Sequence, residues 1–164
     1  METSVIGDRS SFAIEFRDIA LRGKATFGQC GIWLSGYQLH EAGSTVCLDT
    51  VLAGLQGIAS ASPMAGSPPP SPASGAELLL TMQGQGVADV HQHYFLPVEA
   101  FDDFLKLFFK DPEYTTFVWA VHPEVAGLAI YREYPHGVQT VLVKNSEIQR
   151  VVDHFAKAVE MTKG

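Results

Sequence analysis

From Phe12 to Arg17 the chain alternates. Phe12, Ile14 and Phe16 fall on one side, and Ala13, Glu15 and Arg17 on the other. A period of two in apolarity is that of a half-buried strand, and it excludes a helix over the same residues. The stretch opens on a turn signal, Gly7-Asp8. A strand with one apolar face must bury that face and find pairing partners further along the chain.

The partners can be read. Residues 25–39 predict a hairpin, with Cys30, Ile32 and Leu34 on one face and Ser35-Gly36 as a two-residue turn, glycine tolerating a positive φ there. Trp33 falls on the opposite face, which predicts cover on that side too. Leu48, Val51, Leu52, Leu55 and Ile58 then recur at helical spacing, with Ser44, Thr45 or Asp49 as candidate caps. Gly54 and Gly57 weaken that helix, each by about 1 kcal/mol against alanine.

Residues 60–76 hold five of the nine prolines among serines, alanines and glycines. Such a composition has no apolar face to bury and predicts a flexible insertion. The pieces on either side are small, so residues 1–164 are expected to form a single domain around it.

Residues 90–96 suit a strand. Pro97 is well placed in a first helical turn, and Phe101, Phe104, Leu105 and Phe108 give the stripe of a helix ended by Asp111-Pro112. Residues 114–122 are apolar on both faces, which predicts a central strand. Residues 127–134 and 138–144 read as a hairpin around Pro135-His136-Gly137. Residues 146–162 read as a helix with the stripe Ile148, Val151, Val152, Phe155 and Val159. Asp153 and Lys157 are an i,i+4 pair on its polar side. The expected class is α+β: a mostly antiparallel sheet of five to seven strands packed with three helices.

Eleven basic and 18 acidic residues give a net charge of −7. That balance argues against nucleic acid as partner and suits a basic protein surface. No apolar run is long enough to span a bilayer, and residues 1–8 lack the basic-then-apolar pattern of a secretory signal. A cytoplasmic location without membrane attachment is expected. Two cysteines, Cys30 and Cys47, are expected to be reduced apolar residues.

The sharpest local chemistry is Asp89-x-His91-x-His93. On a strand these three side chains share a face, and two imidazoles with a carboxylate suit zinc or a similar cation. A metal-binding module or metal-dependent hydrolase is therefore the alternative function. The plainer reading is a solvated strand edge without metal or cofactor. No Gly-x-Ser-x-Gly elbow, P-loop or His-Glu-x-x-His is present, so no catalytic residue is assigned and a non-enzyme is expected. Asp102, Asp103, Asp111 and Glu113 gather around the middle helix as a candidate contact patch for a basic partner.

Ile6-Gly7-Asp8 followed by Phe12-Ala13-Ile14-Glu15-Phe16 resembles the N-terminus of the immunity protein 42 family of bacterial polymorphic toxin systems. Gly31-Ile32-Trp33-Leu34-Ser35-Gly36 is similar to that family's aromatic strand ending in a glycine turn. Looser matches are Tyr94-Phe95-Leu96 and Gly127-Leu128-Ala129-Ile130. The proline- and serine-rich segment departs from the family pattern. The resemblance implies an antitoxin that binds a cognate toxin domain and blocks it. It offers no catalytic residues to carry over.

Overall fold

The computed structural model describes residues 2–38, 45–63, 94–95, 106–120 and 138–164. Among them are nine strands and two helices, in the order β1 (Ser4–Gly7), β2 (Phe12–Arg22), β3 (Ala25–Leu34), β4 (Tyr37–Gln38), β5 (Thr45–Cys47), α1 (Leu48–Ser60), β6 (Tyr94–Phe95), β7 (Lys106–Lys110), β8 (Tyr114–Ala120), β9 (Val138–Lys144) and α2 (Asn145–Lys163). Every strand pair whose register is defined is antiparallel. The class is α+β, as the pattern predicts. The chain divides into two compact units, each with its own sheet.

The first unit is built on β2 and β3, which pair from Phe12↔Leu34 to Arg22↔Ala25. Strand β1 lies outside β2, while β4 and β5 both pair with the other edge of β3. Ser35 and Gly36 turn the chain between β3 and β4 with φ of 48° and 81°. Two successive positive φ values suit the right-handed twist of a hairpin, and glycine takes the second without strain. A register shift between Arg17 and Ala20 sets Asp18 and Ile19 against the single residue Gly28. This is a β-bulge, and Asp18 takes a φ of 55° within it.

One face of this sheet carries Phe12, Ile14, Phe16, Cys30, Ile32 and Leu34, all buried. Helices α1 and α2 pack on it and on each other. The buried stripes are Leu48, Val51, Leu52, Leu55 and Ile58 on α1, and Ile148, Val151, Val152, Phe155 and Val159 on α2. Both are the stripes the spacing predicts. The rings of Phe16 and Phe155 meet at 5.5 Å, tilted by 52°. Such an aromatic pair adds about 0.5–1.5 kcal/mol to its area burial.

None of the candidate caps serves α1. The N-cap is Cys47, without a side-chain cap bond, and Thr45 lies in β5. Asp49 instead reaches out of the first turn. Its Oδ2 accepts the Thr26 amide at 2.7 Å, and its Oδ1 meets Lys163 Nζ at 2.6 Å. The carboxylate thus ties the start of α1 to β3 and to the last turn of α2. On α2, Asp153 accepts from Gln149 Nε2 at 2.9 Å, one turn earlier on the helix, rather than forming the expected pair with Lys157.

The second unit holds the sheet β6-β7-β8-β9. Strand β8 is central, and Thr115, Thr116, Phe117, Val118 and Trp119 are all buried. The apolar pattern on both faces foretells this position. Residues 106–110 correct the sequence reading, which extends a helix through Phe108. They form a strand in register with β8, from Lys106↔Trp119 to Lys110↔Thr115. Leu107, Phe108 and Phe109 are a continuous apolar run that satisfies either period, and pairing with β8 decides it. Asp111-Pro112 ends no helix but makes the hairpin turn, an order of residues that tight turns favour. Asp111 Oδ1 accepts the amides of Glu113 and Tyr114 at 2.7 and 2.6 Å. The helix thought to begin near Pro97, the strand from residue 90 to 93, and the insertion beyond residue 63 lie outside the described residues.

Candidate functional site

With α1 and α2 on one face of the first sheet, the residues of the other face have a different task. Ala13, Glu15, Arg17, Ala20 and Arg22 of β2 lie there in register with Trp33, Gly31, Gln29, Phe27 and Ala25 of β3. The face is neither apolar nor uniformly charged. Glu15, Arg17, Phe27, Gln29 and Trp33 are half-buried, and Arg22 is exposed.

Its centre is a cluster of three side chains. Glu15 Oε2 accepts the indole N–H of Trp33 at 2.9 Å and two guanidinium N–H groups of Arg9, at 3.1 and 2.7 Å. The Arg9 guanidinium also stands over the Trp33 ring, 5.3 Å from its centroid. The cover that Trp33 predicts on this face is therefore supplied by Arg9 and Glu15. Each contact restrains the others, because one carboxylate oxygen on β2 takes donors from β3 and from the β1–β2 turn. A second cation–ring pair follows along the face, Arg22 over Phe27 at 5.6 Å. Arg17 Nε donates to Gln29 between the two.

Arg9 owes its position to the turn between β1 and β2. Asp8 Oδ1 accepts the amide and hydroxyl of Ser10 at 2.8 and 2.7 Å. The hydroxyl bond first, and the amide bond next, hold the Asp8 carboxyl below the usual carboxylate range. The β3–β4 turn then docks on this one: the amides of Ser35 and Gly36 donate to the carbonyls of Ser11 and Arg9, both at 2.8 Å. Ser11 Oγ donates to Glu147 Oε2 at 3.0 Å, which pins the same turn to the first turn of α2.

The sequence-level candidates fare differently. Asp111 and Glu113 sit in the β7–β8 turn, where the Asp111 carboxylate is engaged by its own backbone. Asp102, Asp103, Asp89, His91 and His93 lie outside the described residues. Among the described residues no three of histidine, cysteine, aspartate and glutamate come together as a cation site. Cys30 and Cys47 are free thiols, and burial pushes the Cys30 thiol up to about 12. No described helix is long and apolar enough to cross a membrane. Sequence reasoning missed the Arg9–Glu15–Trp33 cluster. Its one signal was a tryptophan on the polar side of an alternating strand.

No family model and no curated protein matches the chain. Among solved structures, one likeness spans nearly the whole chain. The fold is similar to that of CdiI from Burkholderia dolosa AUO158. The TM-score is 0.59 at 17% identity, covering 94% of this chain and 99% of that one. At that identity, what the two chains share is the fold.

Proposed function

We propose that this chain is an immunity protein, which binds a cognate toxin domain in the cytoplasm of the producing bacterial cell and neutralises it by occlusion. The observation that carries the reading is the end-to-end likeness to CdiI, an immunity protein. A shared motif could be local, but coverage of 94% of one chain and 99% of the other includes every layer of the fold. The resemblance of residues 6–16 and 31–36 to the immunity protein 42 family supports the same reading.

Occlusion needs a surface complementary to the toxin and no activated side chain. The cluster on the first sheet has that character: an ordered, exposed arginine and a half-buried tryptophan, outside the helix-packed core. Co-expression tests the reading. Cells making the toxin domain encoded beside this chain's gene should survive only when this protein is present, and the two should co-purify. Survival without a complex would replace occlusion with enzymatic reversal of toxin damage.

A further inference from the structure

The face of the first sheet opposite α1 and α2 carries a charge opposite to that of the whole chain. Residues 9–29 hold four basic residues, Arg9, Arg17, Arg22 and Lys24, and two acidic ones, Glu15 and Asp18, a net of +2. The whole chain carries −7, so the remaining residues carry −9. Composition alone therefore misstates what this face offers a partner. We propose that this face is the toxin-docking surface, and that it receives an acidic, carboxylate-bearing face of the toxin domain. The proposal rests on the immunity reading and deepens it.

Three features support this choice. First, arginine and tryptophan are the residue types that most often dominate binding energy, and here they are already ordered. Arg9 is held by Glu15 and by the Trp33 ring, so docking need not freeze a free side chain. Second, the Glu15 carboxylate is shared between Arg9 and Trp33, yet the Arg9 side chain keeps half its surface exposed. A guanidinium with five donors can take an incoming carboxylate while keeping its bond to Glu15. Third, Arg22 and Lys24 stand exposed at the far end of the same hairpin, where they extend the positive field along the face. The other candidate surface, the turn of Asp111 and Glu113, spends one of its carboxylates on its own amides.

The test is binding of the full-length protein to the purified toxin domain encoded beside its gene, by titration calorimetry and stopped flow at two salt concentrations. Arg22→Glu with Lys24→Glu changes exposed residues only, so the fold is kept; circular dichroism checks it. This pair is expected to slow association by about tenfold or more at low salt and to flatten the salt dependence. Trp33→Ala and Arg9→Ala are expected to raise Kd by about tenfold or more, mainly through faster dissociation. Asp111→Lys with Glu113→Lys is expected to leave Kd unchanged.

If the unmodified protein binds the toxin domain and the Arg22/Lys24 and Trp33 variants bind it equally well, the docking surface is wrong and the immunity reading stands. Loss of binding in the Asp111/Glu113 variant alone moves the site to the acidic turn. If the unmodified protein does not bind, the immunity reading itself falls, and the docking surface with it. Tight binding of a single-stranded RNA oligonucleotide, lost on Arg22→Glu with Lys24→Glu, would overturn the proposal in favour of a nucleic-acid face.

Discussion

Gly7 shows how one position can be closed to substitution. Its φ is +99°, and a Cβ there would lie 2.3 Å from the Phe12 carbonyl oxygen and 2.9 Å from Val151 Cγ2. The backbone of β2 cannot move away without breaking its pairing. Gly7→Ala should therefore cost more than about 2 kcal/mol, measured by urea unfolding. A cost near zero would show that β1 can detach freely. The two cysteines differ in the same local way. Cys30 is 2% exposed, with its thiol pushed up to about 12, whereas Cys47 is half-buried. A thiolate-trapping reagent at mildly alkaline pH should label Cys47 first and reach Cys30 only on unfolding. Equal rates for the two thiols would contradict the burial of Cys30.

Among the elements, α1 carries an avoidable weakness. Gly57 lies on its exposed side, and a Cβ there meets nothing within 4 Å. Gly57→Ala should stabilise the protein by about 0.5–1 kcal/mol, seen as a higher urea midpoint at unchanged slope. The tie between α1 and α2 is pH-dependent. The Lys163 ammonium first, and the Thr26 amide next, hold the Asp49 carboxyl below its ordinary range. Asp49 first, and Glu160 next, raise the Lys163 ammonium. A depressed carboxylate contributes stability above its unfolded value, near pH 4, and loses it as pH falls through the folded value. A raised lysine contributes below its unfolded value, near pH 10.5, and loses it as pH rises through the folded one. The tie therefore acts from about pH 4 to about pH 10.5. Asp49→Asn should lower Tm at pH 7, and the difference from the unmodified protein should shrink towards pH 3. A difference independent of pH would mean that Asp49 acts through packing.

At the scale of the whole molecule, the first unit depends on a helix supplied from the far end of the sequence. Strands β1 to β3 and helix α1 lie within residues 4–60, while α2 is Asn145–Lys163. Phe155 is fully buried against Phe16, across 139 positions of sequence (155 − 16). Phe155→Ala should cost about 3–5 kcal/mol, because the surrounding rings and branched side chains cannot close the space. Phe155→Leu, which removes less volume, should cost less. If both substitutions were neutral by denaturant unfolding, α2 would not be part of the core. The long separation also implies slow folding relative to chain length, since the loop must close before the contact contributes.

What the sequence determined by itself was whatever a local period can encode. The alternation of residues 12–17 and the stripes of α1 and α2 each write one buried face into consecutive residues. The same holds for Ser35-Gly36, where turn chemistry is carried by two neighbours. The tertiary structure decided what depends on a distant partner. Residues 106–110 satisfy both periods, and only pairing with Thr115–Trp119 makes them a strand. Asp49 fits the first turn of a helix, and only the approach of Thr26 and Lys163 turns it into a tie between elements. Arg9, Glu15 and Trp33 lie six and 18 residues apart, and no spacing rule joins them. The β2–β3 register sets Glu15 and Trp33 on one face, and the docked turns lower Arg9 over the ring. The net charge likewise said nothing of where charge lies: folding places Arg9 of the β1–β2 turn and Arg22 of β2 over two aromatic rings, and that grouping is a property of the sheet face alone.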